Sequence, residues 1–307
     1  GTKAEWMLKN VDGVASGAAL VVRVSYADAA LAGRVLSAAD AGADAVDSDA
    51  RNATGNAFAQ VALTAGVWLT AAGACALNQF QERGSDRLMR RTSGRPIPSG
   101  RLSAAAALAV SLALSAAGLA VLFAGCGAVS CLLAACGAFW YNGVYTPLKT
   151  RSAFSAVIGA VTGAISPAIG WAATGRPLFE RALLALCFFF LIWQVPHSWL
   201  LSMRLSAEYE GAGFPTPVTV FGPTRSGRVL FCWMTVTALA CLLLPLYGVV
   251  NSPIAVMFLA AGAAWTTLIS VRLLAAGADN ASMRRAFGAV NGLALVVMAA
   301  AFLNRVL

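Results

Sequence analysis

Charge is scarce in this chain. Of 307 residues only 13 are acidic and 22 basic, and histidine occurs once, at His197. With 11% charged residues, 59% hydrophobic residues and a mean hydropathy of +0.73, a soluble globular domain is excluded and an integral membrane protein is implied. The net charge of +9 does not mark a partner for nucleic acid, because the basic residues sit in loops between apolar runs. Paired cysteines are also missing. Cys75, Cys126, Cys131, Cys136, Cys187, Cys232 and Cys241 all lie in apolar segments, with no CxxC and no pairing with the histidine. That excludes a disulfide framework, and the plain expectation is seven small buried hydrophobes. The opening residues carry no signal-peptide pattern.

Long uncharged runs are abundant. Residues 52–81, 102–148, 152–175, 229–271 and 286–304 contain no charge, and between Arg181 and Arg204 only His197 titrates near neutrality. A membrane crossing takes about 20 apolar residues. The run 102–148 is long enough for two helices turning near Gly125–Gly127, and 229–271 for two turning at Asn251–Pro253. The predicted fold is all-α, a polytopic membrane helical bundle. Its eight transmembrane helices fall near 56–77, 102–123, 127–145, 152–173, 182–203, 229–249, 253–271 and 286–304. A ninth is expected at Gly13–Ala39, within a divergent N-terminal segment (1–51) ahead of the helical domain (52–307). Arg23, Asp28 and Arg34 interrupt that run, each at about 2.5–3.5 kcal/mol at the bilayer centre, so an interfacial helix is the alternative.

Charge bias orients the spans. Beyond residue 51, the loops 78–101, 146–151, 204–228 and 272–285 share one side and hold every basic residue except Arg176, Arg181 and Arg305. Positive-inside bias puts those loops in the cytoplasm.

Three polar stretches stand out. In the first, Asn78, Glu82 and Asp86 fall at i, i+4 and i+8. On a helix these steps drift by only about 80° and rise about 12 Å, so one face presents three oxygen-bearing side chains. Such oxygens suit Mg²⁺, which shares its shell with phosphate. Arg83, Arg87, Arg90, Arg91, Arg95 and Arg101 follow, and guanidiniums grip phosphate oxygens. An ordinary solvated loop with i+4 ion pairs is the plain alternative. The second stretch, 193–215, holds His197, Arg204, Glu208 and Glu210. His197 is a buried core histidine, a haem-iron ligand or a base. Glu208 is placed to reach a second Mg²⁺, and Arg204 either contacts phosphate or snorkels. The third, 141–150, ends a span at Pro147 and brings out Lys149, either a point-charge phosphate ligand or an ordinary positive-inside lysine.

Together these stretches resemble the UbiA superfamily of intramembrane prenyltransferases. Asn78-x-x-x-Glu82-x-x-x-Asp86 followed by RT-x-x-RP-x-P-x-G is similar to the family's first acidic motif, with Glu82 where many members have Asp. AEYEGAGFP (207–215) is similar to the second, with Glu208 at the usual Asp. YTPLK, GAISPAIGWAATG and WQVPH resemble the protohaem IX farnesyltransferases, the haem O synthases, within that superfamily; Ser198 stands where an aromatic commonly follows the histidine. The resemblance implies transfer of farnesyl from farnesyl diphosphate to a vinyl group of haem b. Mg²⁺ would sit on Asn78, Glu82, Asp86 and Glu208, and Arg91, Arg95, Lys149 and Arg204 would bind the diphosphate. His197 would position the haem. It also implies a bacterial plasma (inner) membrane rather than a mitochondrial one, with haem-synthesis or oxidase-assembly proteins as further partners. The alternatives are prenylation of an aromatic or quinone precursor, and a non-catalytic haem-binding or transport protein.

Overall fold

The computed structural model describes residues 57–276 and 279–303, and every regular element among them is helical. The N-terminal segment and its expected span lie outside the described residues. Helix α1 (Ala57–Gln81) leads into the short α2 (Arg83–Leu88). Helix α3 (Ala104–Phe139) starts where the Ser103 hydroxyl accepts the Ala106 N–H at 3.1 Å. It runs on through a π-helical turn, Trp140–Tyr145, into α4 (Thr146–Leu148). Then come α5 (Ser155–Gly159), α6 (Val161–Ala172), α7 (Arg181–Arg204) and α8 (Ser206–Gly211). The chain closes with α9 (Pro217–Leu246), α10 (Pro253–Ala276) and α11 (Asn280–Leu303).

Seven helical stretches among the described residues are long and apolar enough to cross a membrane. One of them, Ala104–Leu148, has 45 residues, which drawn out straight would run about 68 Å against a hydrocarbon core of about 30 Å. It does not run straight. Gly127 has φ 81° and ψ 175°, outside the helical region and in a range that glycine adopts freely. The Cys131 thiol donates to the Leu119 carbonyl across 3.4 Å, where a straight helix would separate residues that far apart in sequence by about 18 Å. The stretch therefore folds back on itself where hydropathy predicts a turn.

Two expected loops are shorter than the hydropathy reading makes them. Helix α9 begins at Pro217, not near 229, because Thr216 caps a short first segment that kinks into the main helix at Gly222 (φ 74°). The Ser226 hydroxyl sits 2.8 Å from the Pro217 carbonyl and 2.7 Å from that of Gly222, closing the bend. Helix α10 likewise continues to Ala276 and α11 starts at Asn280, so Arg272, Arg284 and Arg285 are helical.

Helix α7 is the hub, packed on α6, α9 and α11. Phe189, Leu259, Leu293 and Val297 fill one core, and Leu200, Leu230, Met234 and Val290 a second. The Trp193 indole N–H of α7 donates to the Val290 carbonyl of α11 at 2.9 Å. Helices α1 and α3 meet through small residues. A Cβ on Gly73 would lie 2.6 Å from the Ser115 backbone nitrogen and 2.8 Å from the Ser111 oxygen, so only glycine permits that approach. Large apolar side chains such as Phe58, Trp68, Leu246 and Phe302 point outward, as a lipid solvent requires. The cysteines expected inside follow the same rule: only Cys241 is buried, and Cys75, Cys136 and Cys232 are exposed.

Candidate active site

The end of α1 opens a chamber of about 280 Å³ between α1, α2, the π-helical turn and α7. The Glu82 N–H bonds the Asn78 carbonyl and the Asp86 N–H bonds the Glu82 carbonyl, both at 2.8 Å. Helical spacing thus continues across the break at Glu82, and Asn78, Glu82 and Asp86 all line the chamber.

Each acid has a cation of its own. Arg95 Nη1 donates to both Asp86 oxygens, at 3.0 and 2.8 Å, and Asp86 is 0% exposed. Lys149 Nζ donates to Glu82 Oε1 at 2.9 Å. The same ammonium lies 4.7 Å from the Tyr145 ring centroid and 5.6 Å from that of Tyr141. Two aromatic faces therefore help hold it in place. The loop is fastened from within, as the Thr92 hydroxyl donates to the Asp86 carbonyl at 3.0 Å. The Thr146 hydroxyl gives its proton to the Tyr141 carbonyl at 2.8 Å and so accepts from Asn78 Nδ2 at 3.1 Å, which leaves Asn78 Oδ1 as an acceptor.

Arg91 and His197 line the same chamber, so it brings together seven of the nine residues expected from sequence. Glu208 and Arg204 line a different cleft, alongside Asp279 and Met283. Glu208 is nonetheless tied to the first loop, accepting the Arg91 backbone N–H at 3.3 Å. Next to it, Tyr209 faces the chamber. Burial pushes its phenol above the ordinary value while Arg91 pulls the other way, so it remains a protonated donor. Glu210 accepts the Thr216 and Thr219 hydroxyls at 2.8 and 2.7 Å, bracing the turn that carries Phe214.

Sequence reasoning misses Tyr141, Tyr145, Gln194 and Tyr209 as lining residues, and Asn291 behind His197. For Asn291 a signal exists: it is an amide within an apolar span, where polar groups are costly. An apolar groove of about 220 Å³ between α1, α3 and α6 shares Tyr141 with the chamber.

The donor set fits a hard cation. Two carboxylates and an amide oxygen face one space, and Mg²⁺ typically takes one or two carboxylates and completes its shell with phosphate and water. Among the described residues no three His, Cys, Asp or Glu side chains cluster closely enough to hold a metal ion by themselves.

Residues 50–291 match the UbiA prenyltransferase family. The chain is 46% identical over 187 residues to the protoheme IX farnesyltransferase of Geobacter sulfurreducens, covering 60% of this chain and 68% of the relative. It is 38% identical over 239 residues to that of Oleidesulfovibrio alaskensis, covering 78% and 82%. Two solved structures share the fold. The apo UbiA homolog from Aeropyrum pernix has a TM-score of 0.62 at 19% identity, covering 81% of this chain and 90% of that one. Digeranylgeranylglyceryl phosphate synthase has a TM-score of 0.64 at 14% identity, covering 80% and 85%. On sequence over most of its length and on fold, the chain belongs to the UbiA prenyltransferase family.

Proposed function

We propose that this protein transfers the farnesyl group of farnesyl diphosphate to a vinyl group of haem b, giving haem O. The single observation that carries the reading is one chamber lined by Asn78, Glu82 and Asp86, by the cations Arg91, Arg95 and Lys149, and by the only histidine. The farnesyltransferase relatives supply the acceptor.

Asn78, Glu82 and Asp86 would hold Mg²⁺, which when bound supplies charge for the departing diphosphate. Arg95 and Lys149, paired to Asp86 and Glu82 at rest, exchange those carboxylates for diphosphate oxygens. Arg91 adds a third cation, and the Tyr209 hydroxyl a neutral donor. The C1–O bond breaks with its electron pair going to diphosphate. The vinyl π electrons form the new bond to C1. Water adds to the resulting benzylic-type carbocation beside the porphyrin, and a proton leaves. The apolar groove beyond Tyr141 suits the tail and keeps water from the allylic cation. Glu208 acts on the loop through the Arg91 backbone, outside the metal shell. The protein works in a bacterial inner membrane, with the site loops facing the cytoplasm.

The test uses purified protein with haem b, Mg²⁺ and farnesyl diphosphate, reading haem O by mass. Asp86→Asn should lower product formation by about 10²–10³-fold, as expected for loss of a group that stabilises transition-state charge. Unchanged turnover would remove the diphosphate assignment. Prenylated 4-hydroxybenzoate without haem O would replace the acceptor.

A further inference from the structure

His197 lines the chamber with its ring against two aromatic side chains. The imidazole lies beside Trp193, at 4.7 Å between centroids and 34° between planes, and beside Phe287, at 5.2 Å and 34°. Two aromatic neighbours at these distances restrict how the imidazole can turn.

Asn291 decides which ring nitrogen carries the proton. Its Nδ2 lies 2.7 Å from the Phe287 carbonyl, a pure acceptor, so that end of the amide is the N–H end. The other end, Oδ1, is then an acceptor, and it lies 2.8 Å from His197 Nδ1. Nδ1 must donate. In the neutral ring this leaves Nε2 with a lone pair. Nε2 has no hydrogen-bond partner among the described residues, and the ring lines the chamber whereas Asn291 does not. An imidazole whose Nδ1–H is tied to an oxygen and whose Nε2 is open is the arrangement of a histidine prepared to ligate a metal.

We propose that Asn291 is a positioning residue that holds His197 as the Nδ1-protonated tautomer, so that Nε2 ligates the iron of the haem acceptor. This rests on haem b as the acceptor. The two contributing helices, α7 and α11, are already locked in register by the Trp193–Val290 hydrogen bond, one residue before Asn291. Coordination then fixes the porphyrin relative to the diphosphate end of the chamber.

Because the chain has one histidine, ¹⁵N-histidine labelling with a histidine-free purification tag reports this residue alone. In the wild-type protein, before any haem is added, the expected spectrum has a protonated Nδ1 and a pyridine-type Nε2. Adding ferric haem b should broaden the Nε2 resonance beyond detection. Asn291→Leu should give mixed tautomers and weaken haem b binding by about 10–100-fold. The nearly isosteric Asn291→Asp should keep the tautomer and shift the haem reduction potential downward. A protonated Nε2 in the wild type, an Nε2 resonance unmoved by haem b, or Asn291→Leu with wild-type tautomer and affinity would each overturn the proposal. If haem O still forms in any of those cases, farnesyl transfer to haem stands and only the iron ligand falls. Broadened Nε2 without haem O formation would remove the transfer reading and leave the ligand in place.

Discussion

Replacing Lys149 with methionine separates two jobs that one ammonium performs. Methionine keeps the stem and removes the charge. In the resting chamber Lys149 occupies Glu82 at 2.9 Å, so it competes with any metal for that carboxylate. A hydrogen bond between charged groups contributes about 1.5–3 kcal/mol. Both side chains keep some exposure, 18% and 13%, so solvent screening brings the working figure to about 1–1.5 kcal/mol. Freed of its partner, Glu82 should bind Mg²⁺ about 5- to 13-fold more tightly. Turnover should move the opposite way. Loss of one group that stabilises leaving-group charge costs roughly 10²-fold or more. The assay is diphosphate release at saturating farnesyl diphosphate and haem b across a Mg²⁺ titration. The expected result is a lower half-saturating Mg²⁺ concentration together with a collapsed maximum rate. A maximum rate within about threefold of wild type, or a Mg²⁺ requirement that rises, would refute the reasoning. Lys149→Arg keeps the charge and should restore the wild-type Mg²⁺ dependence.

Two further outcomes concern stability. Gly73→Ala puts a Cβ against the backbone of Ser115 and Ser111, forcing α1 from α3 at a cost of about 1–3 kcal/mol, visible as a lower unfolding temperature in detergent. Asp279 holds the start of α11 through Ser282, and hydrogen bonds from the Ser282 hydroxyl and from its N–H, the latter at 3.0 Å, depress the Asp279 carboxyl below the ordinary value. A depressed carboxyl contributes stability above its unfolded pKa and loses it as pH falls through the folded value. Asp279→Ala should therefore speed amide exchange in the first turn of α11 at neutral pH, and the difference should fade as pH falls below the ordinary carboxylate range. A difference that persists in acid would assign the cap to something other than the carboxylate.

The face formed by Asn78, Glu82 and Asp86 is legible in the sequence because its geometry is local: i→i−4 hydrogen bonds carry it, and spacing encodes them. The turn at Gly127 is legible because no membrane is thick enough for the uncharged run. Pairings across the bundle are not legible. Asp86 with Arg95 lies within one loop, but Glu82 with Lys149 and His197 with Asn291 join residues 67 and 94 positions apart. The hydropathy of α11 marks Asn291 as a costly amide in an apolar span, but not which residue it meets. Glu208 shows the converse: a motif identifies the residue, while the packing of α8 sends its carboxylate to the Arg91 backbone.

The widened turn at Trp140–Tyr145 has a consequence for how this enzyme tolerates insertion and deletion. The Thr146 N–H reaches back to the Tyr141 carbonyl, five residues earlier instead of four. One residue is thereby absorbed without lengthening the helix, and everything after it is rotated by about 100°. Tyr145, Thr146 and Lys149 owe their compass bearing to that surplus. Removing any single residue between 140 and 145, whatever its chemistry, would let the turn relax to ordinary pitch and swing the lysine out of the chamber. Here the count of residues is under as much constraint as their identity.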